Sequence, residues 1–147
     1  MSNHNITLTW QRTSADFNSK TYNRTHTVQF SGGSQVEVTA APEYMGDPKI
    51  TNPEELLVAA LSSCHMLTFL AIAAMKGLVI DKYVDHAVGM LGKNAEGKMA
   101  ITRVVLKPQI TFSGNTPDEA TLHAMHEKAH VNCFIANSVN FEVEVEH

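Results

Sequence analysis

Residues 56–75 limit the possible folds of this chain more than any other segment, because apolar side chains occupy almost every face of the helix that they predict. Asn52 suits the N-cap, Pro53 suits the first helical position, and Gly77 lies just past the end. A helix that is apolar nearly all round has to be covered by other elements, so we expect it at the centre of the fold. Two early glutamates, with serines and a histidine in the interior, argue against a membrane-spanning segment.

The segments on both sides of this helix alternate apolar and polar residues, which is the pattern of half-buried strands. Three such strands precede it, and a turn at residues 31–34 predicts that they form an antiparallel meander. Two strands are predicted after it, at residues 83–91 and 99–112. A second helix is predicted from Thr116 to about residue 132, followed by a last strand at residues 138–146. The order βββα–ββαβ predicts an α+β fold.

Composition sets limits on size and partners. A chain of 147 residues can bury its own core without disulfide or metal crosslinks, so we predict one domain over residues 1–147. Its 11 basic and 15 acidic side chains give a net charge of -4, and the basic ones are scattered singly. Nucleic acids and anionic membranes both bind clustered positive charge, so neither is expected as a partner. The first residues lack the pattern of a signal peptide, and we predict a cytoplasmic protein.

The two cysteines, Cys64 and Cys133, lie 69 positions apart, one in each predicted helix. In a reducing compartment such a pair is more often free, reactive or metal-ligating than a permanent disulfide. Taken alone, Cys64 among small and apolar neighbours is typical of an inert buried residue. A reactive cysteine has to be a thiolate at neutral pH, which requires a cationic or hydrogen-bonding neighbour.

Three arginines are candidates for that neighbour: Arg12, Arg24 and Arg103, each of which could equally be a surface charge. Arg24 is the most interesting, because it lies where a loop enters the second strand, and a guanidinium held there by a carboxylate would lower a thiol pKa and bind peroxide oxygens. Glu54 is a candidate carboxylate, or only a partner of the helix dipole. It precedes Cys64 by about 15 Å of helix, so the arginine spans that distance, the helix is broken, or a second subunit contributes a group.

The second helix contains His126-Glu127-Lys128-Ala129-His130, which matches the HExxH motif of zinc peptidases. The continuation found in metzincins is absent, and the few residues that follow leave little room for a third ligand. His123, the two histidines of the motif and Cys133 share one face of the helix. These side chains could ligate a metal, tune Cys133, or be polar members of an interface.

Across its whole length the chain resembles the OsmC/Ohr family of thiol-dependent peroxidases. The most specific part is Asn52-Pro53-Glu54-Glu55-Leu56-Leu57 leading to Ser62-Ser63-Cys64, which is similar to the family's Pro-Glu helix with its peroxidatic cysteine. The segment at residues 130–137 is similar to the family's second-cysteine segment. Ser-Ser-Cys-His-Met-Leu-Thr-Phe-Leu at residues 62–70 resembles the broad OsmC-like branch more than the organic hydroperoxide resistance branch.

The resemblance implies an intertwined homodimer, in which antiparallel sheets wrap around long central helices and active sites lie at the subunit interface. It implies that Cys64 is peroxidatic, that Cys133 is resolving, and that Glu54 engages Arg24. The implied activity is reduction of organic hydroperoxides, and secondarily of inorganic ones, in oxidative stress defence. A Cys64 sulfenate and a Cys64–Cys133 disulfide are the implied intermediates. No cofactor or metal is expected, only an external dithiol reductant of lipoyl type.

Two alternatives stand beside this interpretation. The first is an OsmC-like stress or binding protein that keeps the fold with little turnover. The second is a zinc-dependent hydrolase that uses His126, Glu127 and His130.

Overall fold

The computed structural model describes residues 1–147, which divide into two compact units, residues 1–56 and residues 57–147. Helix α1, Pro53–Met75, begins in the first unit and continues into the second. The mixture of sheets and two helices confirms the predicted α+β class. That residues 1–147 form one domain stays a prediction.

The N-terminal unit contains a three-stranded antiparallel sheet in the order β1-β2-β3, which confirms the predicted meander. Its strands are β1 (Ile6–Thr9), β2 (His26–Phe30) and β3 (Gln35–Val38). The hairpin between β2 and β3 turns at Gly33, whose φ of 94° lies in the left-handed region that glycine adopts without strain. A 3-10 turn at Pro42–Tyr44 follows and leads to the start of α1.

Helix α1 begins and ends where the sequence predicts. The Asn52 side chain accepts a hydrogen bond from the Glu55 backbone N–H at 2.9 Å, as an N-cap does. Gly77, with a φ of 72°, ends the helix in the left-handed conformation. By length and composition α1 could cross a membrane, with a mean hydropathy of 2.0, and only 28% of that apolar stretch is buried within the chain. The core helix of a soluble protein meets the same criteria.

Two small sheets build the C-terminal unit. In the first, β4 (Val79–Asp85) pairs antiparallel with β7 (Pro108–Ser113). The second has the order β5-β6-β8, from β5 (Val88–Lys93), β6 (Met99–Leu106) and β8 (Glu142–Val145). Strand β8 runs parallel to β6, so this one pairing differs from the expected antiparallel arrangement.

The two strands predicted between the helices are each divided into two. The first breaks between β4 and β5, and the second breaks between β6 and β7 at Lys107. Asp85 joins the two breaks, because its carboxylate accepts a hydrogen bond from the Lys107 backbone N–H at 2.6 Å. At this point each segment leaves one sheet and enters the other. The alternation of apolar and polar residues along a strand does not show to which sheet the strand belongs.

Helix α2, Glu119–Val131, begins three residues later than predicted. Asp118 is its N-cap, with a carboxylate that accepts a hydrogen bond from the Thr121 backbone N–H at 2.7 Å. Hydrogen bonds from Thr121 hold the pKa of Asp118 below its usual range. Strand β8 is also shorter than predicted: a 3-10 turn occupies residues 136–138, and the strand begins at Glu142.

Two apolar clusters fill the C-terminal unit, and α1 contributes to both. The first cluster consists of Phe69, Ile72 and Ala73 from α1 with Met125 and Ala129 from α2. The second consists of Leu61 from α1 with Val104 and Leu106 from β6. Burial of each large apolar side chain stabilises the fold by about 1.5–3 kcal/mol. Packing of α1 in both clusters agrees with the central position expected for it.

Candidate active site

The two thiols lie near each other in the C-terminal unit, where the side chain of Cys64 is close enough to Cys133 to raise its pKa. Cys64 lies within α1 and is half-buried, whereas Cys133 lies two residues beyond the end of α2 and is buried. Both are free thiols. The fold thus brings into contact two cysteines that lie 69 positions apart in the sequence.

Burial, followed by the influence of the neighbouring Cys64 side chain, raises the pKa of Cys133 to about 11. The Ala136 backbone N–H donates to the Cys133 sulfur at 3.4 Å and opposes this rise without offsetting it. Cys133 is therefore a neutral thiol at neutral pH. Since the thiolate is the nucleophilic form, the half-exposed Cys64 is the better candidate for first attack on a substrate.

The turn after α2 holds Cys133 in place through backbone hydrogen bonds. The Cys133 N–H donates to the His130 carbonyl at 3.2 Å, and the Cys133 carbonyl accepts from the Asn137 N–H at 3.0 Å. The Asn132 side chain caps the helix by donating to the Lys128 carbonyl at 2.8 Å. The thiol is therefore fixed by the main chain on both sides.

Arg24 lies in the N-terminal unit and is held by backbone carbonyls. Its guanidinium donates to the Tyr22 carbonyl at 2.9 Å and to the Ser19 carbonyl at 2.6 Å, and lies 4.0 Å from the centroid of the Tyr22 ring. No ion pair joins Arg24 to Glu54 within this chain. Arg12, in the same loop region, likewise donates to the carbonyls of Ser14 and Ala15.

Arg103 differs from the other two arginines because it forms an ion pair with Glu144. The hydrogen bond that Arg103 donates to Glu144 and the charge of that carboxylate hold the pKa of Arg103 above its usual value. Arg103 therefore already has a carboxylate partner, whereas Arg12 and Arg24 have none within 4.0 Å.

Glu54 differs from its neighbour Glu55 at the start of α1. Glu55 accepts a hydrogen bond from the Thr51 hydroxyl at 2.8 Å, whereas one oxygen of Glu54 is buried without any partner. A buried carboxylate oxygen without a donor is costly. Helix α1 is unbroken from Pro53 to Met75, so no break in the helix brings Glu54 closer to Cys64.

A cavity of about 470 Å³ opens beside Arg24 in the N-terminal unit. Its walls include Trp10, Phe17, Tyr22, Arg24, His26 and Pro53. Trp10 and Phe17 pack edge to face with ring centroids 5.9 Å apart, and the Trp10 indole donates to the Asn23 carbonyl at 2.7 Å. A cavity of this size accommodates a small organic molecule. Sequence reasoning missed it, because its aromatic residues lie in a loop without periodic spacing.

The histidines of the predicted helix face do not converge on a metal position. His126 lies 3.0 Å from His65 through its Nδ1 atom, and His123 lies 3.1 Å from His147. Nowhere in the chain do three or more histidine, cysteine or carboxylate side chains form a group that could hold a metal ion. The HExxH motif therefore builds no zinc site in this arrangement. His65, which pairs with His126, was not among the candidate residues.

Comparison with known proteins identifies the fold. A family model described as OsmC-like protein matches residues 46–147. The solved structure of an OsmC-like protein of unknown function from Vibrio cholerae is 48% identical, has a TM-score of 0.95, and aligns over 99% of each chain. An organic hydroperoxide resistance protein from Elizabethkingia anophelis is 21% identical with a TM-score of 0.74, over 99% of this chain and 94% of that chain.

A curated relative, the uncharacterized protein YmaD of Bacillus subtilis, is 23% identical over 127 residues, which is 84% of each chain. The higher identity to the OsmC-like Vibrio cholerae protein agrees with the expected branch. Helix α1 is accordingly the core helix of a soluble protein. A family match over more than half of the chain, with a nearly complete structural superposition, places this protein in the OsmC-like family.

Proposed function

We propose that this protein is a thiol-dependent peroxidase that reduces organic hydroperoxides in oxidative stress defence. The observation that carries the proposal is the contact between a half-exposed thiol, Cys64, and a buried protonated thiol, Cys133. Membership in the OsmC-like family supports it, as does a shared fold with proteins named for organic hydroperoxide resistance.

In the first step the Cys64 thiolate attacks the terminal oxygen of the hydroperoxide. The O–O bond breaks, the sulfur is oxidised to a sulfenic acid, and the departing alkoxide takes up a proton to leave as an alcohol. A cation beside the sulfur would stabilise both the thiolate and the developing alkoxide. Arg24 is the candidate for this cation, since its guanidinium has no carboxylate partner and, unlike Arg12, it lines the cavity of the N-terminal unit.

In the second step Cys133 attacks the sulfenic sulfur of Cys64. A disulfide forms, and the hydroxyl group leaves as water with the proton that Cys133 carried. The raised pKa of Cys133 ensures that this proton is present at neutral pH. An external dithiol, of lipoyl type by family resemblance, then reduces the disulfide by exchange. The cycle requires no metal or bound cofactor.

We propose that the active protein is an intertwined homodimer. One oxygen of Glu54 is buried without a donor, and the apolar stretch of α1 is only 28% buried within one chain. Leu67 on α1 is 60% exposed. A second copy of the chain would cover this apolar surface and supply a donor to Glu54. In sedimentation experiments Leu67→Glu should dissociate the dimer, whereas Gln109→Glu, an exposed strand control, should not.

Apolar side chains near the thiols favour organic over inorganic peroxides. Phe134, which follows Cys133, is 80% exposed, and Val131 is also exposed just before it. These side chains offer contacts to the organic group of a substrate. We propose a cytoplasmic location, because a reducing compartment would return the thiols to their reduced form after each turnover.

The experiment treats reduced protein with cumene hydroperoxide and measures remaining peroxide and free thiols. Wild type should lose two thiols per chain, Cys133→Ser should accumulate a sulfenate, and Cys64→Ser should show no fast reaction. Peroxide consumption by Cys64→Ser at the wild-type rate would overturn the mechanism.

A second candidate function, a binding protein with little turnover, is favoured by the aromatic cavity beside Arg24. The only tryptophan of the chain, Trp10, lines this cavity and can report on its occupant by fluorescence. Titration of Cys64→Ser with 2-phenyl-2-propanol, the alcohol derived from cumene hydroperoxide, measures binding without turnover. Tight binding combined with no peroxide consumption by wild type would favour the binding function.

A further inference from the structure

Two buried imidazoles connect the helices that carry the two thiols. His65 from α1 and His126 from α2 are each 1% exposed, and their Nε2 and Nδ1 atoms lie 3.0 Å apart. The two ring planes differ by only 5°. His126 also stacks on Phe69, with ring centroids 4.4 Å apart. This hydrogen bond lies beside the apolar cluster that packs α1 against α2.

The pair is neutral at physiological pH, so one ring donates and the other accepts. Burial, with smaller contributions from neighbouring histidines, lowers the pKa of His65 to about 4 and that of His126 to about 3. The outer nitrogens, Nδ1 of His65 and Nε2 of His126, are buried without partners. Each imidazole is therefore held through the other, and loss of either would leave a buried polar atom unsatisfied.

Apolar side chains could fill this contact and hold the helices together, as they do in the adjoining cluster. A buried hydrogen bond makes such a contact directional. Apolar packing alone tolerates small rotations and shifts of the helices, whereas a hydrogen bond does not tolerate them. The pair therefore suits a role in fixing how α1 and α2 meet, separate from the stability of their packing.

The two histidines lie near the two cysteines along the chain, so an interaction that fixes how the helices meet also fixes where the thiols lie. His65 follows Cys64 directly on α1, and successive helix residues point about 100° apart. His126 precedes Cys133 by seven residues, which is about 10 Å along a helix axis. Helix α1 thus meets α2 at the imidazoles, and it approaches the turn after α2 at the thiols. Two points of contact fix both the rotation and the sliding of one helix against the other.

We propose that the hydrogen bond between His65 and His126 positions the thiol pair, holding α1 in the rotation at which Cys133 can close a disulfide with Cys64. This inference deepens the proposed function and rests on it, because the disulfide is an intermediate of the proposed cycle. Both histidines are positioning residues and not catalytic ones. Their effect falls on the second step, in which the S–S bond forms and water leaves, and not on the attack of Cys64 on the peroxide.

Amide side chains provide matched variants. Glutamine places its amide near the position of a histidine Nε2, and asparagine places it near the position of Nδ1. His65→Gln therefore keeps the hydrogen bond to His126, whereas His65→Asn loses it. In the same way His126→Asn keeps the bond and His126→Gln loses it. The double variant His65→Leu/His126→Leu replaces the pair by apolar side chains and leaves no buried polar atom behind.

The first measurement is the equilibrium of each reduced variant with oxidised dithiothreitol, in which protein dithiol and oxidised reagent give protein disulfide and reduced reagent. We expect the equilibrium constant to fall by about 10- to 100-fold in His65→Asn, His126→Gln and the double leucine variant, as for a misplacement of about 1 Å. His65→Gln and His126→Asn should stay within about threefold of wild type. Circular dichroism and urea unfolding establish that each variant is folded.

The second measurement is a single turnover with cumene hydroperoxide. The sulfenate should form at the wild-type rate in every variant, while disulfide closure slows only in those that lose the hydrogen bond. Wild-type closure in His65→Asn and in the double leucine variant would overturn the proposal. Unfolding of every variant at the pair, including the double leucine variant, would also reject it, because the pair would then serve stability.

The two proposals fail in different ways. If the variants weaken the disulfide against dithiothreitol but wild type does not reduce the peroxide, the positioning role stands and the peroxidase function fails. If wild type reduces the peroxide with loss of two thiols but all variants close the disulfide normally, the peroxidase function stands and the positioning role fails.

Discussion

The two helices of this protein each carry one cysteine, but they give it different surroundings. Helix α1 has 23 residues and holds Cys64 in its interior, half-buried. Helix α2 has 13 residues, and Cys133 lies beyond its end, buried and enclosed by backbone hydrogen bonds. A side chain in the middle of a helix is set by the rotation of the helix, whereas one after its end is set by the turn. This difference indicates that Cys64 on α1 is the reactive thiol and that the turn after α2 keeps Cys133 buried and protonated.

The largest expected effect concerns the reactivity of the buried thiol, Cys133. With its pKa raised to about 11, mainly by burial, Cys133 has a thiolate fraction about 300-fold smaller at neutral pH than an ordinary cysteine. In Cys64→Ser, alkylation of Cys133 by iodoacetamide should therefore be slow at pH 7.5 and should rise about tenfold per pH unit towards pH 10. Cys64→Ala is the matched control, since it removes the polar neighbour of Cys133 but leaves the burial. Alkylation at the rate of a free cysteine would remove the distinction between the two thiols.

The next effect concerns the cation that the reactive thiol of α1 requires. If Arg24 supplies it, Arg24→Lys should lower kcat/KM for cumene hydroperoxide by about 100-fold, because lysine cannot reproduce the forked geometry of the guanidinium. Arg12→Lys is a close control, since Arg12 also donates to two backbone carbonyls. We expect it to change kcat/KM by less than about twofold. Equal losses in the two variants would show a general disturbance of the loop, and a loss in Arg12→Lys alone would exchange their roles.

The bounds of α1 could be predicted from the sequence more completely than those of α2. The start of α1 is determined by neighbouring residues, Asn52 and Pro53, and its end by Gly77, so local patterns suffice. The sequence predicts the start of α2 at Thr116, two residues before the observed N-cap, Asp118, and threonine and aspartate both suit that position. The thiol contact followed only from family resemblance, because nothing in the local sequence places α1 beside α2.

The remaining differences come from contacts between distant segments. Asp85 divides the predicted strands through a hydrogen bond to the backbone of Lys107, which lies 22 positions away. The pairing of His65 with His126 spans 61 positions, and the motif that contains His126 suggested a metal instead. Local patterns describe which face of an element is apolar. They do not describe which buried polar groups on two elements will meet, because that depends on the tertiary packing.

The contact between the two helices should also weaken as the pH falls. Both histidines of the pair have a pKa well below the usual 6.5 in the folded protein, about 4 for His65 and about 3 for His126, mainly because they are buried. The unfolded chain therefore binds more protons than the folded one below pH 6.5, and stability falls from that pH towards pH 4. At pH 5 we expect a loss on the order of 1–2 kcal/mol per histidine relative to pH 7.5.

Urea unfolding at a series of pH values measures this loss. The double variant His65→Leu/His126→Leu should lose much less stability between pH 7.5 and pH 5 than wild type. His4 provides a control, because it is exposed and is not among the groups that lower the pKa of either buried histidine, and His4→Leu should retain the wild-type pH dependence. An unchanged pH dependence in the double variant would mean that other groups titrate in this range.

The smallest expected effect compares the observed cap of α2, Asp118, with the predicted one, Thr116. Asp118→Ala removes the hydrogen bond to the Thr121 N–H and a negative charge at the positive end of the helix dipole, and should lower the free energy of unfolding by about 1 kcal/mol. Thr116→Ala should lower it by less than about 0.5 kcal/mol, since Thr116 is exposed and lies outside the helix. Urea unfolding at pH 7.5 measures both. Since Cys133 follows the opposite end of α2, neither variant should change its rate of alkylation, whereas a change in Asp118→Ala would mean that the start of the helix controls the position of the thiol.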